Sequence, residues 1–200
     1  MGKFADAEKM PKDMTQVWLR DLFTTNIQNF LKVFFPKLHQ QCTHSFTQIA
    51  PKTISRFTLS LNDGMNIGLK TKRNGEDVII FIHVIMSKIS YFELVERIQY
   101  TKQSLQKHFY HPTIPIVVDL NENTLIDEID EESDILTVQI MKSEIDNYLS
   151  NGNIVALALL NKYIFNENER EKYCFDIFRK VVQMQADLRE KHSLYQFFLT

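Results

Sequence analysis

The feature of this sequence that most constrains its fold is an unbroken apolar run, VIIFIHVIM, at residues 78–86. A strand that is apolar at both odd and even positions is covered on both faces, as in the centre of an α/β sheet. The turn signal RNGED at 73–77 leads into the run and follows a second candidate strand, MNIGLKTK, at 65–72. The pattern predicts a hairpin whose second strand lies inside the sheet.

The segment after this run predicts a parallel strand pair. From about residue 91 to 109 the apolar residues recur on one helical stripe, and HPTIPIVVDL at 111–120 indicates another buried strand. A strand, a helix and a strand at this spacing form a crossover, so the two buried strands should run parallel. ILTVQIM at 135–141 is predicted to be an edge strand.

The remaining segments predict mostly helices. Thr15 to Phe35 shows helical spacing that Pro36 ends, and 142–198 is predicted to be helical with a break at SNGN. ISRFTLSL at 54–61 alternates apolar and polar residues and predicts a half-buried strand. The acidic run at 121–134 is typical of a solvated loop.

Together these patterns predict an α/β fold with a small mixed central sheet flanked by helices and a helical C-terminal third. We expect a flexible N-terminus over 1–14, an α/β core over 15–140 and a helical region over 141–200. The helical region should pack on the core, which makes a single domain overall.

Composition excludes some functions and favours others. The net charge is −2, so there is no global positive field to attract nucleic acid. Cys42 and Cys174 lack zinc-site spacing, which favours a reducing compartment. The sequence has no signal-peptide pattern and no apolar run long enough for a bilayer. We therefore expect a cytoplasmic protein without a membrane partner.

The chemistry of the central strand depends on which side chains share a face. His83, Ile85 and Ser87 alternate onto one face if the strand extends to Lys88. A metal-dependent nuclease needs carboxylates that hold Mg²⁺ at a sheet edge, with a Lys or Gln to orient water. This strand carries Ile85 where such a carboxylate would lie and Ser87 where the Lys or Gln would lie.

Four stretches carry a resemblance that spans most of the chain. The sequence resembles the recombination-promoting nuclease and transposase-like branch of the PD-(D/E)XK superfamily, whose central strand reads as an apolar run followed by I-H-x-E-x-Q. The similar stretches are DLFTTNIQNFLKVFFPKLHQQ (21–41), GEDVIIFIHVIMS (75–87), FELVERIQYTKQSLQKHFYHPTIPIVVDL (92–120) and NIVALALLNKY (153–163). The resemblance implies a restriction-endonuclease-like core.

The same resemblance implies a degenerate active site. Ile85 stands where the family has its glutamate, and Ser87 stands where it has Gln or Lys. The family's aspartate falls in MNIGLK, which has no acid, although Asn66 is a candidate relic and Asp63 lies just upstream. The acid expected around residues 48–52 is also missing. We therefore expect no cofactor, and Mg²⁺ only if the site is displaced.

Each candidate catalytic residue has a simpler interpretation. His83 is either a residual catalytic group or, as we favour, a core histidine with one hydrogen-bond partner. Lys88 could replace the missing lysine only through a bulge, because it would lie on the opposite face from Ile85. A metal site built from Asp63, Glu76 and Asp77 competes with ordinary turn chemistry at the same positions.

A nucleic-acid site has weaker support. Lys70, Lys72 and Arg73 form a basic cluster, and Arg97 matches an arginine of the family in type. Three charges on a turn are usually only solvated, and an ion pair of Glu93 with Arg97 accounts equally well for the arginine.

Three functions follow from these observations. The first is a catalytically degenerate nuclease-like protein that acts by binding a protein or nucleic acid, as a regulator derived from a bacterial mobile element. The second is an active Mg²⁺-dependent DNA endonuclease in which Asp63, together with Glu76 or Asp77, supplies oxygen ligands and Lys88 positions water. The third is a structural or assembly protein of a phage or plasmid. We expect a protein partner or a homodimer through the C-terminal helices and the apolar LYQFFLT tail (194–200), and no small-molecule substrate.

Overall fold

The computed structural model describes residues 12–43, 45–58, 64–86, 88–120 and 134–183. The elements in these ranges are α1 (Lys12–Phe34), α2 (Pro36–Gln41), β1 (Thr47–Gln48), α3 (Pro51–Ile54), β2 (Gly64–Arg73), β3 (Glu76–Ile85), α4 (Tyr91–Phe109), β4 (Thr113–Asp119), β5 (Leu136–Gln139), α5 (Ile145–Asn151), α6 (Ile154–Leu159) and α7 (Glu167–Gln183). None of the described helices is both long enough and apolar enough to cross a bilayer.

The five strands form one mixed sheet in the order β1-β2-β3-β4-β5. β1, β2 and β3 pair antiparallel, whereas β4 is parallel to β3 and β5 is parallel to β4. This arrangement confirms the α/β class, the parallel pair joined by a helical crossover and the position of β5 at the sheet edge. β3 lies in the middle of the sheet, as its apolar run predicts.

The hairpin between β2 and β3 turns where the sequence predicts. Asn74 and Gly75 have φ values of 51° and 90°, which suit the tight turn of a two-residue hairpin. The paired residues run from Gly64 opposite Ile85 to Arg73 opposite Glu76. β3 therefore ends at Ile85, so the strand alternation that we expected through Ser87 and Lys88 stops earlier.

Helix α4 has the bounds that the sequence predicts, because both ends carry local signals. The Ser90 hydroxyl accepts a hydrogen bond from the Glu93 backbone N–H at 3.4 Å. Tyr110 ends the helix in the left-handed conformation, with φ 57°. The buried face, with Leu94, Ile98 and Leu105, packs on the sheet.

The two faces of the sheet are covered by different apolar layers. One layer joins β2, β3 and β4 to α1 and to the C-terminal helices α5, α6 and α7. The other layer joins the opposite faces of β3 and β4 to α3 and α4. Every residue of α6 is buried, which explains why its sequence, IVALAL, is apolar on all sides.

The predicted strand at 54–61 is wrong over the residues that the structure describes. Pro51 occupies the first turn of α3, a favourable position for proline, and Ile54 ends that helix. Ser55 to Phe57 form a turn. Ile54 is buried against Gly68 of β2, so the apolar character of this position reflects the packing of a short helix.

The C-terminal third is helical as far as Gln183, as predicted. Gly152 ends α5 with φ 62°, within the predicted break. Asn153 then caps α6, because its Oδ1 accepts a hydrogen bond from the Ala156 N–H at 3.2 Å. The LYQFFLT tail and all of the acidic run except Asp134 lie outside the described residues.

Candidate functional site

The strand register defines two rows of residues at the end of the sheet where β3 and β4 finish. Gly64, Ile85 and Asp119 occupy the last row, on β2, β3 and β4. Asn66 and His83 are paired two residues further into the sheet, and their side chains lie on the same face as that of Ile85, the face toward α4. This edge is also where ligands bind in many α/β proteins, because the carboxyl ends of parallel strands meet there.

His83 is held in the sheet by a neighbouring side chain. It is 1 % exposed, and its Nδ1 lies 2.8 Å from Oδ1 of Asn66. Because an amide oxygen only accepts hydrogen bonds, this geometry favours the tautomer in which Nδ1 carries the proton. The arrangement agrees with the prediction of a core histidine bonded to a partner, and it gives Asn66 a structural role.

The position that the resemblance assigns to glutamate is part of the apolar core. The side chain of Ile85 is fully buried in the layer that includes Phe81, Ile89 and Leu94. Ser87 and Asp63, which were expected near it, lie outside the described residues. Lys88 is exposed and follows β3 instead of belonging to it.

Asp119 is the acidic residue that our sequence analysis did not identify. It is completely buried at the end of β4, in the same row as Ile85. A buried carboxylate is costly unless its surroundings compensate for the charge. In the sequence, Asp119 could have been singled out because it ends a predicted parallel strand, where ligand-binding residues often lie.

The other acidic candidates are far from this edge. Glu76 and Asp77 begin β3, and Ile85 ends it. At about 3.3 Å per residue, the two positions are separated by roughly 26–30 Å, so one ion cannot contact both ends. Among the described residues, no group of three or more His, Cys, Asp or Glu side chains is arranged to hold a metal.

The predicted basic cluster is divided between the two faces of the hairpin. Lys70 extends over the ring of Phe109 on α4, with Nζ 4.4 Å from the ring centre. Arg73 is on the other face, where its Nε donates to Oε1 of Gln41 on α2 at 2.7 Å. Lys72 and Arg73 also stand directly opposite Asp77 and Glu76 in the register. Two of the three positive charges at this hairpin therefore stand opposite a carboxylate.

Arg97 forms the ion pair that its spacing predicts. Its guanidinium contacts the Glu93 carboxylate one turn earlier on α4. The arginine side chain is largely buried. Lys70 contacts Phe109, twelve residues after Arg97 on α4, which is about 18 Å along the helix axis. The four basic candidates therefore do not form one compact cluster.

Searches against protein-family models, curated proteins and solved structures found no match to this chain.

Proposed function

We propose that this chain is a nuclease-fold protein of the PD-(D/E)XK type that has lost its metal site and acts by binding another protein. The order of elements supports the proposal: α1, the strand before the RNG turn, the central strand, the crossover helix and the proline-flanked strand follow the order of the resemblance. A restriction-endonuclease-like core is part of the same proposal.

One observation supports the proposed loss of phosphodiester hydrolysis. The side chain at the glutamate position is the hydrocarbon of Ile85, and it is packed within an apolar layer. Mg²⁺ requires oxygen ligands, and in phosphodiester hydrolysis it both polarises the phosphate and activates water. The residues paired with Ile85 on β2 and β4 are Gly64 and Asp119, so this row of the three strands offers one carboxylate.

Charge favours a protein partner over nucleic acid. A nucleic-acid surface gains its affinity from clustered Lys and Arg side chains that neutralise phosphates. Here Lys72 and Arg73 face Asp77 and Glu76 across the hairpin, and the whole chain carries a net charge of −2. A regulator derived from a mobile-element nuclease would fit these properties.

Asp119 favours a second candidate, an active Mg²⁺-dependent endonuclease with a displaced site. Its carboxylate lies beside the glutamate position on the adjacent strand, where it could take over one ligand role. Glu76 and Asp77 lie at the first residues of β3, at the opposite end of the strand from Ile85.

Incubation with supercoiled plasmid and Mg²⁺ or Mn²⁺ separates the two candidates. We expect the plasmid to remain supercoiled, and we expect millimolar Mg²⁺ to leave the melting temperature unchanged because no ion binds the folded state. Asp119→Asn is the matched variant, with its fold checked by circular dichroism. Cleavage by the wild-type protein that this folded variant lacks would establish the second candidate.

A gel-shift titration tests the choice of partner. At physiological salt we expect no retarded DNA band for the wild-type protein. A band that weakens with salt and disappears in a Lys70→Gln/Lys72→Gln/Arg73→Gln variant would contradict the protein-directed function. Lys107→Gln, an exposed position on α4, is the control for a general change in charge.

A further inference from the structure

A cleft of about 840 Å³ lies beside the first residues of β4. It exists because β5 is short: β5 pairs with β4 only from Ile116 onward, so no strand in the described chain covers the edge from Thr113 to Pro115. The corner between α1 and α2 closes one side, and the second half of α4 closes the other. The volume is within the range of small-molecule sites.

One wall of the cleft is apolar. It contains side chains from the end of α1, from α2 and from the two parallel strands. These residues are Phe34, Phe35, Leu38, Ile114 and Leu136. All five belong to the core layer on the α1 side of the sheet or pack against it, so the wall is held in place by the fold. Such a surface suits an aromatic or aliphatic body.

The other groups around the cleft are mainly cationic. Lys37, Arg73 and Lys102 line it, whereas Asp134 is the one carboxylate among the described lining residues. The Nζ of Lys102 lies 3.7 Å from Oδ2 of Asp134, whose side chain is 84 % exposed. The Lys102 side chain is only 17 % exposed, but its partner lies in solvent at a long separation, so an incoming anion can take the place of Asp134. Arg73 stands opposite Glu76 in the register. Lys37 and Lys102 still outnumber the one carboxylate among the described lining residues, so the cleft carries a local positive charge on a chain that is negative overall.

Thr113 provides an independent indication of a ligand. It lines the cleft and is only 4 % exposed, and its hydroxyl has no hydrogen-bond partner within the described part of the chain. A buried hydroxyl without a partner costs free energy that a bound acceptor would recover. Its position on β4 places it on the same side of the sheet as Lys102 of α4.

We propose that this cleft binds a small organic anion with an apolar body, such as a medium-chain carboxylate or an aryl phosphate. The body lies on the phenylalanine wall, and the anionic group lies near Lys102 and the Thr113 hydroxyl. Strand addition at the same edge is disfavoured, because Pro115 supplies no backbone N–H. This cleft is separate from the candidate site at Ile85 and Asp119. The proposal revises the expectation that the protein has no small-molecule substrate.

Calorimetric titration of the intact protein with decanoate, phenyl phosphate and uncharged decanol tests the proposal. We expect at least one of the two anions to bind and to raise the melting temperature, whereas decanol should bind more weakly; the two anions distinguish a carboxylate from a phosphate head group. Lys102→Gln should weaken anion binding by about tenfold or more, and Lys107→Gln on the same helix should not. Equal binding of decanol, no binding of either anion, or equal effects of the two substitutions would overturn the proposal.

Thr113→Val separates a ligand contact from a structural role. Valine has nearly the shape of threonine and removes the buried hydroxyl, so the ligand-free protein should be slightly more stable. Affinity for the anion should fall by about threefold to tenfold. A variant that is less stable and binds the anion as tightly as the wild type would show that the hydroxyl serves the fold and not the ligand.

Discussion

The hydrogen bond of His83 with Asn66 connects two strands beside the position where the resemblance implies a carboxylate. Both residues face α4, but only Asn66 is partly exposed. The histidine could be predicted from sequence to be a buried group with a hydrogen-bond partner. The partner itself could not, because a strand pattern specifies a face but not the register that sets Asn66 opposite His83.

Removal of the amide should destabilise the protein. Asn66→Ala leaves His83 Nδ1 without its present partner in a buried site, which should cost about 1–3 kcal/mol in the free energy of unfolding. Urea denaturation measures this loss, and Gln103→Ala at an exposed position of α4 is the control. A loss no greater than that of the control would show that the bond contributes nothing to stability.

At the scale of elements, the packing of α3 on β2 explains the wrong strand prediction. Gly68 has no side chain, so Ile54 fits directly over the strand at this point. An alanine Cβ at position 68 would overlap the Cδ1 atom of Ile54. The sequence shows an apolar residue at position 54, but it does not show that the facing glycine leaves space for a short helix.

Gly68→Ala should therefore destabilise the fold, and a second substitution should relieve the effect. Overpacking at this site should cost about 1–3 kcal/mol. Ile54→Val removes the overlapping methyl group and alone should cost about 0.5–1.5 kcal/mol. In chemical denaturation, the double variant should lose less stability than the sum of the two single variants. Simple additivity would contradict a contact between these two positions.

The start of α7 carries a reciprocal cap whose charge gives a pH dependence. The Glu169 N–H donates to Asn166 Oδ1, and the Asn166 N–H donates to Glu169 Oε2, both at 3.0 Å. Lys142 donates to the same carboxylate. The Asn166 N–H, followed by Lys142, lowers the pKa of Glu169 below its ordinary value. Its charge thus stabilises the folded state above the unfolded pKa of about 4.3, and this contribution disappears as the pH falls through the lower, folded pKa.

Glu169→Gln tests this linkage, because glutamine keeps the cap but removes the charge. We expect a small loss of stability at pH 7 that shrinks as the pH falls below about 4. Urea denaturation from pH 7 to pH 3 measures the difference, with Glu171→Gln on the exposed side of α7 as the control. A difference that stays constant over this range would contradict the assigned cause.

At the scale of the whole molecule, the sequence predicts those parts of the fold that are determined by local signals. The hairpin at Asn74 and Gly75, the capped helix α4 and the parallel crossover all follow from such signals. The position of Asp119 at the end of a predicted parallel strand was visible in the sequence, but its place beside Ile85 depends on the strand register. The cleft beside Thr113 depends on elements that are distant in sequence. The cleft results from the shortness of β5, which pairs with only the second part of β4, and the sequence of β4 does not predict this.

Homodimerisation through the C-terminal helices remains a proposal, and Phe175 gives it a specific test. Its side chain is 64 % exposed on α7, with Phe178 and Val182 partly exposed on the same helix. Exposed aromatic residues are common anchors of interfaces, because they bury a large apolar area on association. We expect light scattering at micromolar concentration to give twice the chain mass of 23.6 kDa.

Phe175→Ser should shift this equilibrium toward the monomer by about tenfold or more in the dissociation constant, as loss of a hot-spot contact does. Phe92→Ser is the matched control, because Phe92 is also exposed but lies at the start of α4. If both substitutions weakened the dimer equally, the effect would be one of general surface hydrophobicity. A monomeric mass for the wild-type protein would exclude the homodimer, and the binding partner would then have to be a different protein.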